Sequence, residues 1–211
     1  MHFLLEMIFY IRSINDDIFG GYNTLNPLTH KNITNEVYSK LTHKKDYNIL
    51  VKRSLLWGSV KPDFIRHRIP HYKYRGTKGF YKKIDQLEQS AAKLTPKEFS
   101  LELGQIFHYL ADYFCQAHNK QYFINKTRFH VLNEIRLQRY FKKLNKDFFD
   151  FNIIGNRPKN IIDIIETEHL KFQQEEFSFA NDLKYTFRIL MIIGNKLLSS
   201  YVAQRQKGLA A

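Results

Sequence analysis

His108 and Asp112, four residues apart, interrupt an apolar stretch made by Leu103, Ile106, Phe107, Leu110 and Phe114. One helical turn would stack the two polar side chains on a single face. An imidazole and a carboxylate aimed from an apolar face into a core are costly unless something ionic receives them. A divalent metal ion would do so. His118-Asn119 follows, and His130 with Glu134 then repeats the histidine–acid spacing. Taken singly, each pair reads more readily as a satisfied core histidine. Together, with His118 between them, they favour a metal site. Histidine with Asp or Glu and no cysteine suits zinc or a similar ion in an open, reactive site rather than a closed structural one.

The elements that must position these residues read as helices. Thr95-Pro96-Lys97-Glu98 is a helix start, with Thr as N-cap, Pro at the first position and Glu closing a capping box. That helix is expected to carry His108 and Asp112 and to end near His118-Asn119. An amphipathic stretch over 121–146 carries His130 and Glu134, a loop follows over 152–160, and two more helices are expected at 160–176 and 181–205. Upstream, Thr29 reads as the N-cap of a helix through Leu41, with Ile33, Val37 and Leu41 on one face and His30 in the first turn. Residues 46–57 read as helix stopped by Gly58. Pro62, Pro70 and the basic run from Arg66 to Arg75 predict a loop over 59–78, and helical periodicity resumes from Phe80 to Leu94. Residues 1–12 read as a short apolar helix and 15–27 as loop. Roughly seven to nine helices make the fold class all-α. One helical domain is expected over 28–205, with an N-terminal extension over 1–27 and a tail over 206–211.

Composition narrows the function classes. At 211 residues, 44% apolar and 25% charged, the chain is long enough for a sizeable core and is not disordered. A net charge of +13 favours an anionic partner, either nucleic acid or an acidic membrane surface. Cys115 is the single cysteine, so no intrachain disulfide forms. The apolar residues 3–11 lack a preceding Lys or Arg, are interrupted by Glu6 and precede no small-residue cleavage site. A cytoplasmic or membrane-peripheral location is therefore expected, with secretion left open.

The ordered set His108-Tyr109-x-x-Asp112, His118-Asn119 and His130-x-x-x-Glu134 resembles the prokaryotic zinc-dependent phospholipase C family. Upstream, Trp57-Gly58-Ser59-Val60-Lys61-Pro62-Asp63 is similar to the family's Pro-Asp loop, Pro70-His71-Tyr72 to its next histidine, and Thr29-His30 to its early histidine. The match covers about residues 28–135, and single-strand zinc nucleases share the fold and much of the ligand set. The resemblance implies two or three zinc ions. Asp63, His71, His108 and Asp112 would hold one; His118, His130 and Glu134 another; His30 and a share of Asp112 the third. His67 rivals His71 as a ligand. In secreted members the third zinc also uses the mature N-terminal amine. Here 29 residues precede His30 and the family's N-terminal tryptophan has no counterpart. Either the chain is trimmed, or another group replaces the amine, or two metals bind.

The resemblance assigns Asp63 a second role, as general base or orienter of the attacking water, and implies phospholipid, or a membrane surface, as substrate. Phe64 is the one substrate-binding neighbour to be placed, and no protein partner is implied. Glu134 and His118-Asn119 favour the phospholipase branch over the nucleases. A zinc-dependent nuclease or nucleotidase on single-stranded nucleic acid is the alternative, and a non-catalytic metal-stabilised membrane binder the third reading. Asn119 reads as a ligand-supporting or helix-ending residue and Tyr109 as packing. Cys115 reads as a small buried hydrophobe rather than a soft ligand, and His169 as structural or exposed. Lys61, Arg66, Arg68, Lys73 and Arg75 read either as a solvated loop or as a collar that attracts phosphate.

Overall fold

Pro27 opens the first helix among the described residues of the computed structural model, α1 (Pro27–Thr42). The structure describes residues 27–42, 49–64, 69, 73–119, 127–144 and 160–209, of which 73–75, 127–131 and 208–209 as backbone. Proline suits a first helical position because its missing N–H has no intrahelical acceptor there. Thr29, expected as the N-cap, instead lies inside α1, where its hydroxyl donates to Gln138 Oε1 at 2.5 Å. Helix α2 (Lys52–Gly58) starts after Val51, later than expected, and the Val51 N–H donates to Ser100 Oγ at 2.9 Å. The loop expected over 59–78 is corrected in part, residues 65–68 and 70–72 lying outside the described residues. Lys61–Phe64 forms one turn, α3, and α4 (Lys73–Ser90) begins well before Phe80, continuing into the 3-10 turn Ala91–Lys93. Pro62 falls in the first turn of α3, where it breaks no bond.

The capping box forms as expected at the start of α5 (Pro96–Tyr113). The Glu98 N–H donates to Thr95 Oγ1 at 3.3 Å and the Thr95 N–H to Glu98 Oε2 at 2.9 Å. The helix ends earlier than its apolar pattern predicts, at Tyr113, and His118 lies on a separate 3-10 turn, Gln116–His118. Helices α6 (Thr127–Lys143), α7 (Ile161–Gln174) and α8 (Phe179–Leu209) follow, α7 capped by the Asn160 side chain, which accepts from the Ile162 N–H at 3.0 Å. Eight α-helices and no strand occur among the described residues, so the fold is all-α. No described helix is long and apolar enough to cross a membrane.

Helix α5 runs through the centre. It packs against α2, α4 and α8, and every residue from Leu103 to Tyr113 is buried. Phe99 stacks on Tyr201 of α8 with ring centroids 4.0 Å apart, and Phe80 of α4 meets Tyr113 edge-on at 5.1 Å. Each such side chain contributes about 1.5–3 kcal/mol by leaving water. Crossing α2 against α5 depends on Gly58 and Gly104. A Cβ on Gly58 would lie 2.2 Å from the Leu101 carbonyl oxygen, and one on Gly104 2.2 Å from that of Leu55. Mid-helix glycine costs about 1 kcal/mol relative to alanine. Here it allows two backbones to touch, which brings the end of α2 to the polar face of α5.

Candidate metal centre

That polar face is built from His108 and Asp112, one turn apart and both fully buried. His108 Nδ1 lies 3.0 Å from the Ser59 carbonyl at the end of α2. A carbonyl only accepts, so Nδ1 carries the proton and Nε2 presents its lone pair inward. His108 Nε2 lies 3.4 Å from Asp112 Oδ2 and 3.7 Å from Asp63 Oδ1, the latter delivered by α3. From α1, His30 Nε2 comes within 3.3 Å of Asp112 Oδ1, its ring 4.1 Å from that of His108. His118 Nε2 is 3.8 Å from the same oxygen.

These spacings fit a metal. Donor atoms about 2.1 Å from a tetrahedral zinc stand about 3.4 Å from one another. The measured pairs of 3.3, 3.4 and 3.7 Å bracket that value. One ligand atom each from His30, Asp63 and His108 lies within 4.8 Å of the other two. Charge points the same way. Burial pushes the Asp112 carboxyl up, but His118, His108 and His30 outweigh it and hold the group well below the usual carboxylate range. Glu134, buried on α6, is pushed well up by burial and by the Asp112 charge. Several carboxylates cannot all ionise in a dry pocket without a cation among them.

The turn bearing His118 is held from two sides. His169 of α7, buried, donates from Nε2 to the Tyr113 carbonyl at 3.0 Å and to Asn119 Oδ1 at 3.2 Å. Asn119 Nδ2 donates to the Cys115 carbonyl at 2.9 Å. From α8, Asp182 accepts the Gln116 N–H at 3.3 Å and the Cys115 thiol at 3.7 Å. Burial pushes Asp182 up to about 7 against those two donors, and burial with the Asp182 charge pushes the Cys115 thiol well up. A protonated thiol donating to a carboxylate is no soft ligand.

Of the residues singled out in the sequence, the structure brings together His30, Asp63, His108, Asp112 and His118, with Glu134 buried beside Asp112. His130 lies on α6 one turn before Glu134, its side chain outside the described residues. His71, its rival His67, residues 1–26 of the N-terminal extension expected over 1–27, and the basic residues Arg66 and Arg68 also lie outside them. Phe64, half-buried, stacks on Trp57 at 6.0 Å. Tyr109 packs edge-on against His108 at 5.3 Å, its phenol pushed up by burial and by the charges of Asp112 and Asp63. Sequence reasoning missed the Ser59 carbonyl and Asp182. A backbone oxygen has no sequence signature, and Asp182 in a first helical turn reads as an ordinary dipole partner.

An all-α chain that converges imidazoles and carboxylates from α1, α3, α5 and the following turn defines a helical protein with a buried candidate metal centre. The zinc-dependent phospholipase C family model matches residues 29–191, and the chain belongs to that family. No curated protein and no solved structure matches it.

Proposed function

We propose that this chain hydrolyses phosphodiesters in a phospholipase C-type reaction, releasing diacylglycerol and a phosphorylated head group from glycerophospholipids. The observation that carries the reading is the meeting of His30, Asp63, His108 and Asp112, with donor pairs 3.3–3.7 Å apart, in a chain of this family. In this reading His30, Asp63, His71, His108, Asp112, His118, His130 and Glu134 hold two or three zinc ions. Bound zinc supplies Lewis acidity toward the phosphoryl oxygens and makes water a nucleophile near neutral pH.

The chain's own residues do the rest. Asp63 orients the attacking water and receives its proton at the oxygen facing the pocket. A P–O bond to water forms as the P–O bond to the diacylglycerol oxygen breaks; that oxygen takes a proton from solvent, and Asp63 returns to solvent the one it received. Asp112, with one oxygen 3.3 Å from His30 Nε2 and the other 3.4 Å from His108 Nε2, keeps the cluster together. His108 cannot rotate while Nδ1 is bound to the Ser59 carbonyl, which fixes the direction of Nε2. Phe64, stacked on Trp57 next to Asp63, offers an apolar flank for substrate.

The net charge of +13 favours a second reading, a zinc nuclease on single strands. Elemental analysis with parallel turnover of phosphatidylcholine and single-stranded DNA separates the two. Two or three zinc per chain with lipid cleavage supports the phospholipase reading, and cleavage of DNA alone replaces it with the nuclease. Asp63→Asn is expected to keep the fold and most of the zinc while losing about 10²–10⁴-fold in turnover. Retained turnover would refute the role of Asp63.

A further inference from the structure

Helix α6 turns Glu134 toward the centre and a different face outward. Leu132, Arg136, Arg139 and Lys143 follow one another at spacings of four, three and four, which places them on one stripe. All four are exposed, Leu132 by 51%, and Lys142 lies exposed beside them. The single acid of α6 is Glu134, and it is buried. None of the four cations makes an ion pair among the described residues. Elsewhere many cations have partners: Lys83 pairs with Glu102, Arg188 and Lys171 with Glu168, and Lys184 with Glu175. The stripe extends about 16 Å along the helix.

We propose that this face of α6 docks the protein onto an anionic phospholipid surface, with Leu132 entering the interface and Arg136, Arg139, Lys142 and Lys143 meeting the head groups. The docking role builds on the phospholipid reading above. Charge complementarity requires an anionic partner. The stripe begins with an exposed leucine, and Gln138 ties α6 to α1 through Thr29, next to Leu28, a second exposed leucine. An exposed leucine one turn from cations that make no ion pair among the described residues suits a membrane interface better than a nucleic-acid backbone.

The test is sedimentation with phosphatidylserine-containing and pure phosphatidylcholine vesicles at low and high salt. Arg136→Gln/Arg139→Gln/Lys143→Gln is compared with Lys78→Gln/Lys82→Gln/Lys97→Gln, an equal charge change on exposed residues of α4 and α5. At about five-fold per cation, the α6 variant loses about 100-fold on phosphatidylserine vesicles at low salt and little at high salt. Leu132→Ser weakens the remaining binding at high salt. Equal loss in the α4/α5 variant would overturn the proposal in favour of net charge. Unchanged vesicle binding with lost single-stranded DNA binding would overturn it in favour of nucleic acid. Turnover of a short-chain, monomeric phosphatidylcholine separates docking from chemistry, because the α6 variant should retain it. Absence of that turnover in the unsubstituted protein would refute the catalytic reading, while the vesicle comparison still decides the docking one.

Discussion

Gly104→Ala sets two effects of opposite sign against each other. In an isolated helix the change gains about 1 kcal/mol. In this fold the new Cβ would lie 2.2 Å from the Leu55 carbonyl oxygen and 2.9 Å from both Gly58 Cα and Ser59 N, where contacts below 3.0 Å do not persist. Helices α2 and α5 must part by roughly 0.8 Å at that point, with the cost of an overpacked core of about 1–3 kcal/mol. The same displacement carries the Ser59 carbonyl from 3.0 Å to beyond hydrogen-bond reach of His108 Nδ1, which removes about 1 kcal/mol more. The expected net loss is about 2 kcal/mol, read as a lower urea midpoint at unchanged slope. Zinc content should fall with it, since His108 is then free to turn. A variant as stable as the parent, or more stable, would show that the helices do not cross in backbone contact. The account of how His108 is aimed would then fail.

Other perturbations test neighbouring parts. Burial raises the folded-state pKa of Asp182 from 3.8 to about 7, so the folded chain holds an extra proton between those values and stability falls as pH rises through that window. Asp182→Asn removes this slope: relative to the parent it should gain on the order of a few kcal/mol on going from pH 4 to pH 8, measured by urea unfolding, and a constant difference would contradict it. His169→Phe keeps the ring contacts with Phe114 and Phe172 but leaves the Tyr113 carbonyl with only the 3.5 Å bond from Asn119 Nδ2, and Asn119 Oδ1 without its donor. It should cost about 1–3 kcal/mol and reduce zinc bound per chain, with His169→Gln restoring part of both. Chelation of zinc should lower the unfolding temperature, because carboxylates buried around Asp112 lose their counter-charge, and readdition should restore it. Equal melting with and without chelator would count against a metal in this pocket.

What the sequence determined by itself was local. The Thr95–Glu98 capping box, the pairing of His108 with Asp112 over one turn, and the all-α class depend on contacts within a few residues, and these formed as their chemistry dictates. The family was also legible, because the ordered histidines and acids that suggested it lie within the matched residues 29–191. Local signals misled where tertiary contacts overrode them. Pro62 and the basic run pointed to loop, yet α3 and the start of α4 are helical. Thr29 looked like a cap but bonds to Gln138, 109 positions away. The meeting of α1 and α3 with α5 was decided only in three dimensions. So were the backbone contact at Gly58 and Gly104 that brings the Ser59 carbonyl to His108, and the hold of α7 and α8 on the His118 turn. Those contacts join residues far apart in the chain through backbone atoms and buried hydrogen bonds, whose geometry exists only once the helices have packed.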